Sequence, residues 1–300
     1  MKLIPETHID FVGRRRLFFA ISAVLVLASI ASLFLIGIRW GVDFTGGSRF
    51  QVHFEKPVKL EAVRAALAAG GEAGATIQQD QSGDFVLRVG AAGGEKDQEA
   101  VRQRVEEQLR SAFVDNPPDI SVDAVGPQVS RELKGRVLLA VGLGILAILI
   151  YVSFRFDLRF GTGAVLSLIH DALIAIGLVV LFHREMTITV VAALLTVIGY
   201  SVNDSIVVSD RIREDIRKMR KEPFDSVVNR AINETLSRTV ITSLTVLLVA
   251  LSLLFFGAAS IRDFAFVMTI GAVVGTYSSV GIVANFVVEW ERRFPSRRRR

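Results

Sequence analysis

The sequence predicts an α-helical membrane protein, a six-span bundle carrying one external α+β domain of ferredoxin-like order, β-α-β-β-α-β. Three observations predict it. Apolar residues gather in six runs of the length needed to cross ~30 Å of hydrocarbon. Lys and Arg crowd the same side of those runs, as they do on the cytoplasmic face of a bilayer. The one long polar stretch, residues 39–135, alternates strand and helix periodicity.

The first span is read at 17–38, behind Arg14, Arg15 and Arg16. Its run exceeds the core of a signal peptide and no small-residue cleavage site closes it, so it reads as a permanent span. Residues 39–135 follow as a separate domain. GVDFTGG (41–47) makes a turn into SRFQVHFE (48–55), which alternates as a half-buried strand should. VKLEAVRAALAA (58–69) reads as a helix ended by Gly70-Gly71. ATIQQD (75–80) and DFVLRVG (84–90) read as strands around a turn at Gln81-Ser82-Gly83. Over 95–114, Val101, Val105, Leu109 and Ala112 form one helical stripe. Pro117 and Pro118 stop that helix, and ISVDAV (120–125) is the last strand. That order gives the split βαβ motif. The remaining spans are read at 136–154, 161–182, 187–208, 239–257 and 264–288, with a charged cytoplasmic loop at 209–238 and a basic tail at 291–300. The five later spans make one bundle over 136–290. Gly271 and Gly275 form a GxxxG, which permits close helix approach in lipid.

Composition narrows the class. Of 300 residues, 51% are hydrophobic and mean hydropathy is +0.46, too apolar for an ordinary soluble domain. The chain has no cysteine, which excludes disulfides and thiolate chemistry. The net charge of +5 sits in bases flanking the spans, so it points to a lipid bilayer and not to nucleic acid. Lys2, Arg14–Arg16, Arg155, Arg159, the 209–238 stretch and the tail share one side, while the opposite short hairpins carry only Arg184 and Arg262. Both termini are therefore expected in the cytoplasm and 39–135 outside.

Asn203 and Asp204, in TVIGYSVNDSIVVSDRIRE (196–214), lie in the inner half of the fourth span. A carboxylate at membrane depth costs several kcal/mol unless it is paired, hydrated or protonated, so it marks a functional site. Helical spacing puts Thr196, Tyr200, Asn203, Asp204 and Val207 on one face, expected to look into the bundle. Two readings fit Asp204: a carboxyl that takes up and releases a proton, or a structural ion pair. Arg238, on one face with Thr242 and Thr245, is the candidate counter-charge; alternatively it snorkels to the headgroups. His170-Asp171 in the third span could extend a proton path or tie helices together. Asp210, Arg211, Arg213 and Glu214 suit local ion pairs at three- and four-residue spacing. Asp43 reads as turn punctuation. No phosphate-cradling glycine loop with Lys is present, so no nucleotide cofactor is expected, nor any metal or other cofactor.

Together GVDFTGGS (41–48), VGPQVSREL (125–133), IHD (169–171), GYSVNDSIVVSDRIRE (199–214), ETLSRTVITSLTVLL (234–248) and GTYSS (275–279) resemble the SecF family of bacterial protein-export membrane subunits, in the family's order and over most of the chain. Ser209 departs from the Phe expected beside Asp210. The resemblance implies a non-enzymatic accessory subunit of the Sec translocase in the inner membrane, related to the resistance-nodulation-division exporters. It implies pairing with SecD, contact with the Sec channel complex and with unfolded preprotein, and use of the proton gradient late in export. By match to the motif it implies that Asp204 is the proton-path carboxylate and Arg238 the base facing it.

Two other functions fit parts of the pattern. A small-molecule or lipid exporter of the same superfamily would need a larger external region. An intramembrane aspartyl protease would use Asp171 and Asp204 as a pair sharing one proton, but no GxGD surrounds either residue.

Overall fold

The computed structural model describes residues 7–79, 83–90, 95–219 and 222–295. The chain divides into two compact units, one of residues 1–39 and 141–300 and one of residues 40–140.

The smaller unit opens with a single helical turn, α2 (Val42–Thr45). Gly46 then takes φ 74° and Gly47 φ 118°, left-handed values that a side chain would strain. That pair sets the entry into strand β1 (Gly47–His53). Next come α3 (Leu60–Ala69), β2 (Thr76–Gln79), β3 (Phe85–Val89), α4 (Glu95–Ala112) and β4 (Asp119–Val125). The four strands form one antiparallel sheet in the spatial order β2-β3-β1-β4. Phe50 opposes Leu87 on one side and Val122 on the other, and Val52 opposes Phe85 and Ile120. Because successive residues of a strand point to opposite faces, Phe50, Val52, Phe85 and Leu87 enter the core with Val63 and Leu67 of α3 and Val101, Val105 and Leu109 of α4. The expected stripe on α4 fails at its last member. Ala112 is exposed, and Phe113, one residue on, packs instead edge-to-face on Phe54 at 4.9 Å. A methyl group buries too little to hold that helix end against the bulk of a phenyl ring. Asp80, Gln81 and Ser82, part of the expected β2–β3 turn, lie outside the described residues.

The larger unit is helical. Its elements are α1 (Arg15–Leu35), α6 (Leu158–Leu181), α7 (Ile188–Lys218), α8 (Phe224–Phe256), α9 (Ala259–Ser278), a π-helical segment (Ser279–Ala284) and α10 (Asn285–Arg293). Helix α5 (Pro127–Arg155) runs from the smaller unit into it. Among the described residues, six helices are long and apolar enough to cross a membrane. The charged stretch 209–238, expected as a loop, is helical on both sides: α7 continues to Lys218 and α8 begins at Phe224. Charge alone does not end a helix. Here Arg211–Glu214 and Lys218–Glu214 pairs support its exposed turns.

Between helices in lipid there is no hydrophobic driving force, so small residues that admit close approach decide which faces meet. α1 buries only Ser22, Ser29 and Ser32. A Cβ on Gly177 of α6 would overlap Ser29, and the Ser32 hydroxyl donates to the Gly177 carbonyl at 3.0 Å. α7 crosses α9 at the GxxxG: a Cβ on Gly271 would lie 2.8 Å from the Val197 Cβ, and one on Gly275 would lie 3.2 Å from the Ser201 Cβ. The π-helical segment frees carbonyls that the Asn285 amide then engages, at Val280 (3.4 Å) and Gly281 (3.1 Å).

The helix ends near the chain termini are tied by ion pairs. Arg15 meets Glu289 at 2.6 Å, Arg159 meets Glu291 at 2.6 Å, Arg292 meets Asp225 at 2.5 Å, and Arg211 of α7 meets Glu234 of α8. Residues 9–12 lie along α8, where Asn229 and Asn233 grip their backbone. Asn233 accepts from the Ile9 N–H at 2.9 Å and donates to the Ile9 carbonyl at 2.9 Å, while Asn229 accepts from the Phe11 N–H at 2.8 Å.

Candidate functional site: two buried carboxylates

Helix α7 places Asp204 against α8 and α9. Its N-terminus is capped by Thr187, whose hydroxyl accepts from the Val190 N–H at 3.2 Å. Asp204 is 2% exposed. The Ser243 hydroxyl of α8 donates to its Oδ2 at 3.3 Å. Ser243 in turn accepts from the Tyr200 hydroxyl at 2.8 Å and from the Thr276 hydroxyl of α9 at 2.5 Å. The carboxylate thus ends a small relay of neutral hydroxyls that joins three helices. Arg238, one and a half turns before Ser243 on α8, acts on it electrostatically but makes no hydrogen bond to it.

Two expectations on this face need correction. Asn203 and Thr196 are exposed and do not look into the bundle. α7 meets its neighbours through Val197, Ser201, Asp204, Ser205 and Val208, and the stripe read from the sequence straddles the edge of that contact. Arg238 is likewise exposed within this chain. The Thr242 and Thr245 hydroxyls beside it bond to carbonyls of their own helix at 3.0 and 2.7 Å. Around 210–214 the ion pairs are only partly local: Asp210 also meets Arg155 of α5, and Arg213 meets Asp157 at 3.3 Å.

The second carboxylate, Asp171 of α6, is 0% exposed. Its Oδ2 accepts from the Ser201 hydroxyl of α7 and from the Ser278 hydroxyl of α9 at 2.7 Å; its Oδ1 lies 2.8 Å from His170 Nδ1. Ser167 adds a hydrogen bond to Ser278 at 2.9 Å. The His170 ring stacks on Tyr277, with centroids 6.2 Å apart. Tyr277 donates to the Phe18 carbonyl of α1 at 2.7 Å. Asp171 and Asp204 are therefore not a pair sharing a proton. Each has its own set of hydroxyls, and no hydrogen bond among the described residues joins the two sets.

The hydroxyl partners Ser201, Ser243, Thr276 and Ser278 were not singled out from the sequence. Their signal was there: each is a small hydroxyl residue inside an apolar span, where polar atoms need partners. Outside the spans, His53 of β1 lies 2.5 Å from Asp84, whose hydrogen bond and negative charge hold its imidazole protonated above the ordinary 6.5. Among the described residues no group of three or more His, Asp or Glu is placed to hold a metal ion.

Six membrane-length helices and carboxylates buried among them define the class: a multi-pass membrane protein with ionisable groups enclosed between its spans. The model of the C-terminal region of the SecD/SecF protein-export membrane proteins matches residues 104–293, and the SecD/SecF GG motif matches residues 31–58, which include Gly46 and Gly47. The chain belongs to this SecD/SecF family. It is 40% identical over 290 residues to the protein translocase subunit SecF of Calditerrivibrio nitroreducens, covering 94% of each chain. With SecF of Magnetococcus marinus it shares 43% over 288 residues, covering 95% of this chain and 93% of that one. The crystal structure of SecDF from Thermus thermophilus superposes with a TM-score of 0.83 at 38% identity, over 96% of this chain and 39% of that chain. The chain thus spans about two-fifths of the length of that larger protein. A SecDF structure in a super-membrane-facing form superposes less well, with a TM-score of 0.67.

Proposed function

We propose that the chain is the SecF-type subunit of a bacterial protein translocase, which with SecD uses the proton gradient to drive late steps of preprotein export. The observation that carries this reading is Asp204: a carboxylate buried at membrane depth, hydrogen-bonded only to a neutral hydroxyl, beside a helix bearing Arg238. A proton arriving at Asp204 neutralises it, weakens its attraction to Arg238 and lets α7 and α8 shift. About 2.3 kcal/mol per charge is available from each 100 mV of membrane potential.

The exposed positions of Asn203 on α7 and of Arg238 on α8 support pairing with SecD. Polar groups at that depth need partners, and a second helical subunit supplies them where acyl chains cannot. The single-chain SecDF relative fits such a pairing. Under this reading both termini are cytoplasmic, the membrane is the inner one, and the smaller unit faces outward toward emerging preprotein near the channel. Its β2-β3-β1-β4 sheet with two helices on one face supports reading that unit as ferredoxin-like. No catalytic turnover is assigned to the chain.

The test is export of a preprotein into inverted membrane vesicles containing Asp204→Asn. The expected result is export that no longer responds to an imposed proton gradient. Gradient-dependent export at the wild-type rate would end the proposal.

A further inference from the structure

Asp171 is enclosed more completely than Asp204, yet it receives donors from three helices. Ser201 comes from α7, Ser278 from α9, and His170 from its own α6, with Ser167 bracing Ser278. Ser167, Ser201, Ser278 and Asp171 are all 0% exposed. A single carboxyl oxygen that accepts from α7 and α9 at once ties both helices to α6 through one atom, as separate hydroxyl–carbonyl bonds within each helix would not. These two bonds also sit at the close α7–α9 crossing, where Ser201 packs on Gly275 and Val197 on Gly271. Ser201 precedes Asp204 by three residues, a rise of about 4.5 Å and a turn of about 60° between their faces. Fixing Ser201 against α6 and α9 therefore fixes the direction in which Asp204 leaves α7.

We propose that Asp171 is a positioning residue and not a proton carrier: its carboxylate fastens α7 and α9 to α6 through Ser201 and Ser278, and so sets Asp204 against Ser243 on α8. The inference rests on the role proposed for Asp204. The ionisable groups facing Asp171 are His170 on its own helix and Tyr277 on α9 stacked against that histidine; Asp204 lies one turn beyond Ser201 on α7. Those facing Asp204 are Tyr200 on its own helix and Arg238 on α8.

The two roles part at Asp171→Asn. An amide cannot release a proton at working pH, but its oxygen still accepts from both serine hydroxyls. The full translocase in vesicles is compared with Asp171→Asn, Asp171→Ala and the doubly substituted Ser201→Ala/Ser278→Ala. Anchoring predicts that Asp171→Asn keeps roughly a third of the export rate and the wild-type pH profile. It predicts that Asp171→Ala and the double serine variant each lose about tenfold, the scale of one net hydrogen bond. Labelling of Asp204 by a hydrophobic carbodiimide, read by mass spectrometry, needs no export. It should quicken several-fold in the double serine variant and little in Asp171→Asn. Should Asp171→Asn abolish gradient-dependent export while the serine variant works normally, Asp171 is a carrier and the inference is overturned. Unchanged labelling in the serine variant overturns it too. If Asp204→Asn exports normally, the proposed function fails, while the labelling still decides whether Asp171 anchors.

Discussion

Removing one hydroxyl, in Ser243→Ala, tests the arrangement around Asp204 most directly. Three hydrogen bonds meet at that oxygen: to Asp204 at 3.3 Å, from Tyr200 at 2.8 Å and from Thr276 at 2.5 Å. Their losses differ. Thr276 keeps a second acceptor, the Ala272 carbonyl at 2.6 Å, and Tyr200 has Thr242 within reach. Each of those two bonds is valued at about 0.6 kcal/mol, the average for side-chain hydrogen bonds in a membrane protein. Asp204 is left without its donor, and stranding a buried polar group costs about 1–3 kcal/mol. The expected destabilisation is about 2–4 kcal/mol, most of it from the carboxylate. Reversible unfolding in lipid nanodiscs measures it. Ser243→Thr, which keeps the oxygen, serves as the control, and gradient-dependent export should fall in the alanine variant alone. An alanine variant within about 0.5 kcal/mol of wild type, a bound set by ordinary surface substitutions, with unaltered export would show that Ser243 does not hold Asp204.

Gly271→Ala should cost about 1–3 kcal/mol by overpacking, and Val197→Ala should restore most of it by removing the methyls that the new Cβ meets; additive losses in the same unfolding assay would refute the close α7–α9 crossing. Asn229→Ala with Asn233→Ala should free residues 9–12 from α8 and raise amide exchange at Phe11 about thirty-fold, since roughly 2 kcal/mol of hydrogen bonding is lost; unchanged protection there would refute the clamp. His53 is protonated above its ordinary 6.5 because of the Asp84 hydrogen bond and charge. With the folded-state value raised, the pair's contribution is complete below pH 6.5 and is lost as pH climbs through the higher folded value. Asp84→Asn should therefore bring the NMR titration of His53 back toward 6.5, and an unmoved midpoint would disprove the pairing.

Much of this molecule is legible one residue at a time. Span lengths follow from the thickness of hydrocarbon, so runs such as 161–182 and 187–208 could be drawn within a few residues of α6 and the apolar part of α7. Alternation in 48–55 marks a half-buried strand, and Phe50 and Val52 do lie inward there, because a strand's period is fixed by its backbone. Asp204, Arg238 and His170-Asp171 stood out since charge is expensive in an apolar run. That α7 runs on to Lys218 and α8 starts as early as Phe224 was less legible, because polarity says that a segment meets water and not that it unwinds.

Facing and pairing belonged to the tertiary structure. The sequence set Asn203 beside Asp204, but only the packing of α7 against α8 and α9 separated them, turning one outward and one inward. The sequence offered two acids in neighbouring spans, and only the packing gave each its own hydroxyls. The physical reason is that a carboxylate's cost in lipid is local, fixed by residue type and depth, while its hydroxyl partners lie 30 to 107 residues away along the chain. Which of those come within hydrogen-bond reach is decided where glycine and serine let two backbones touch.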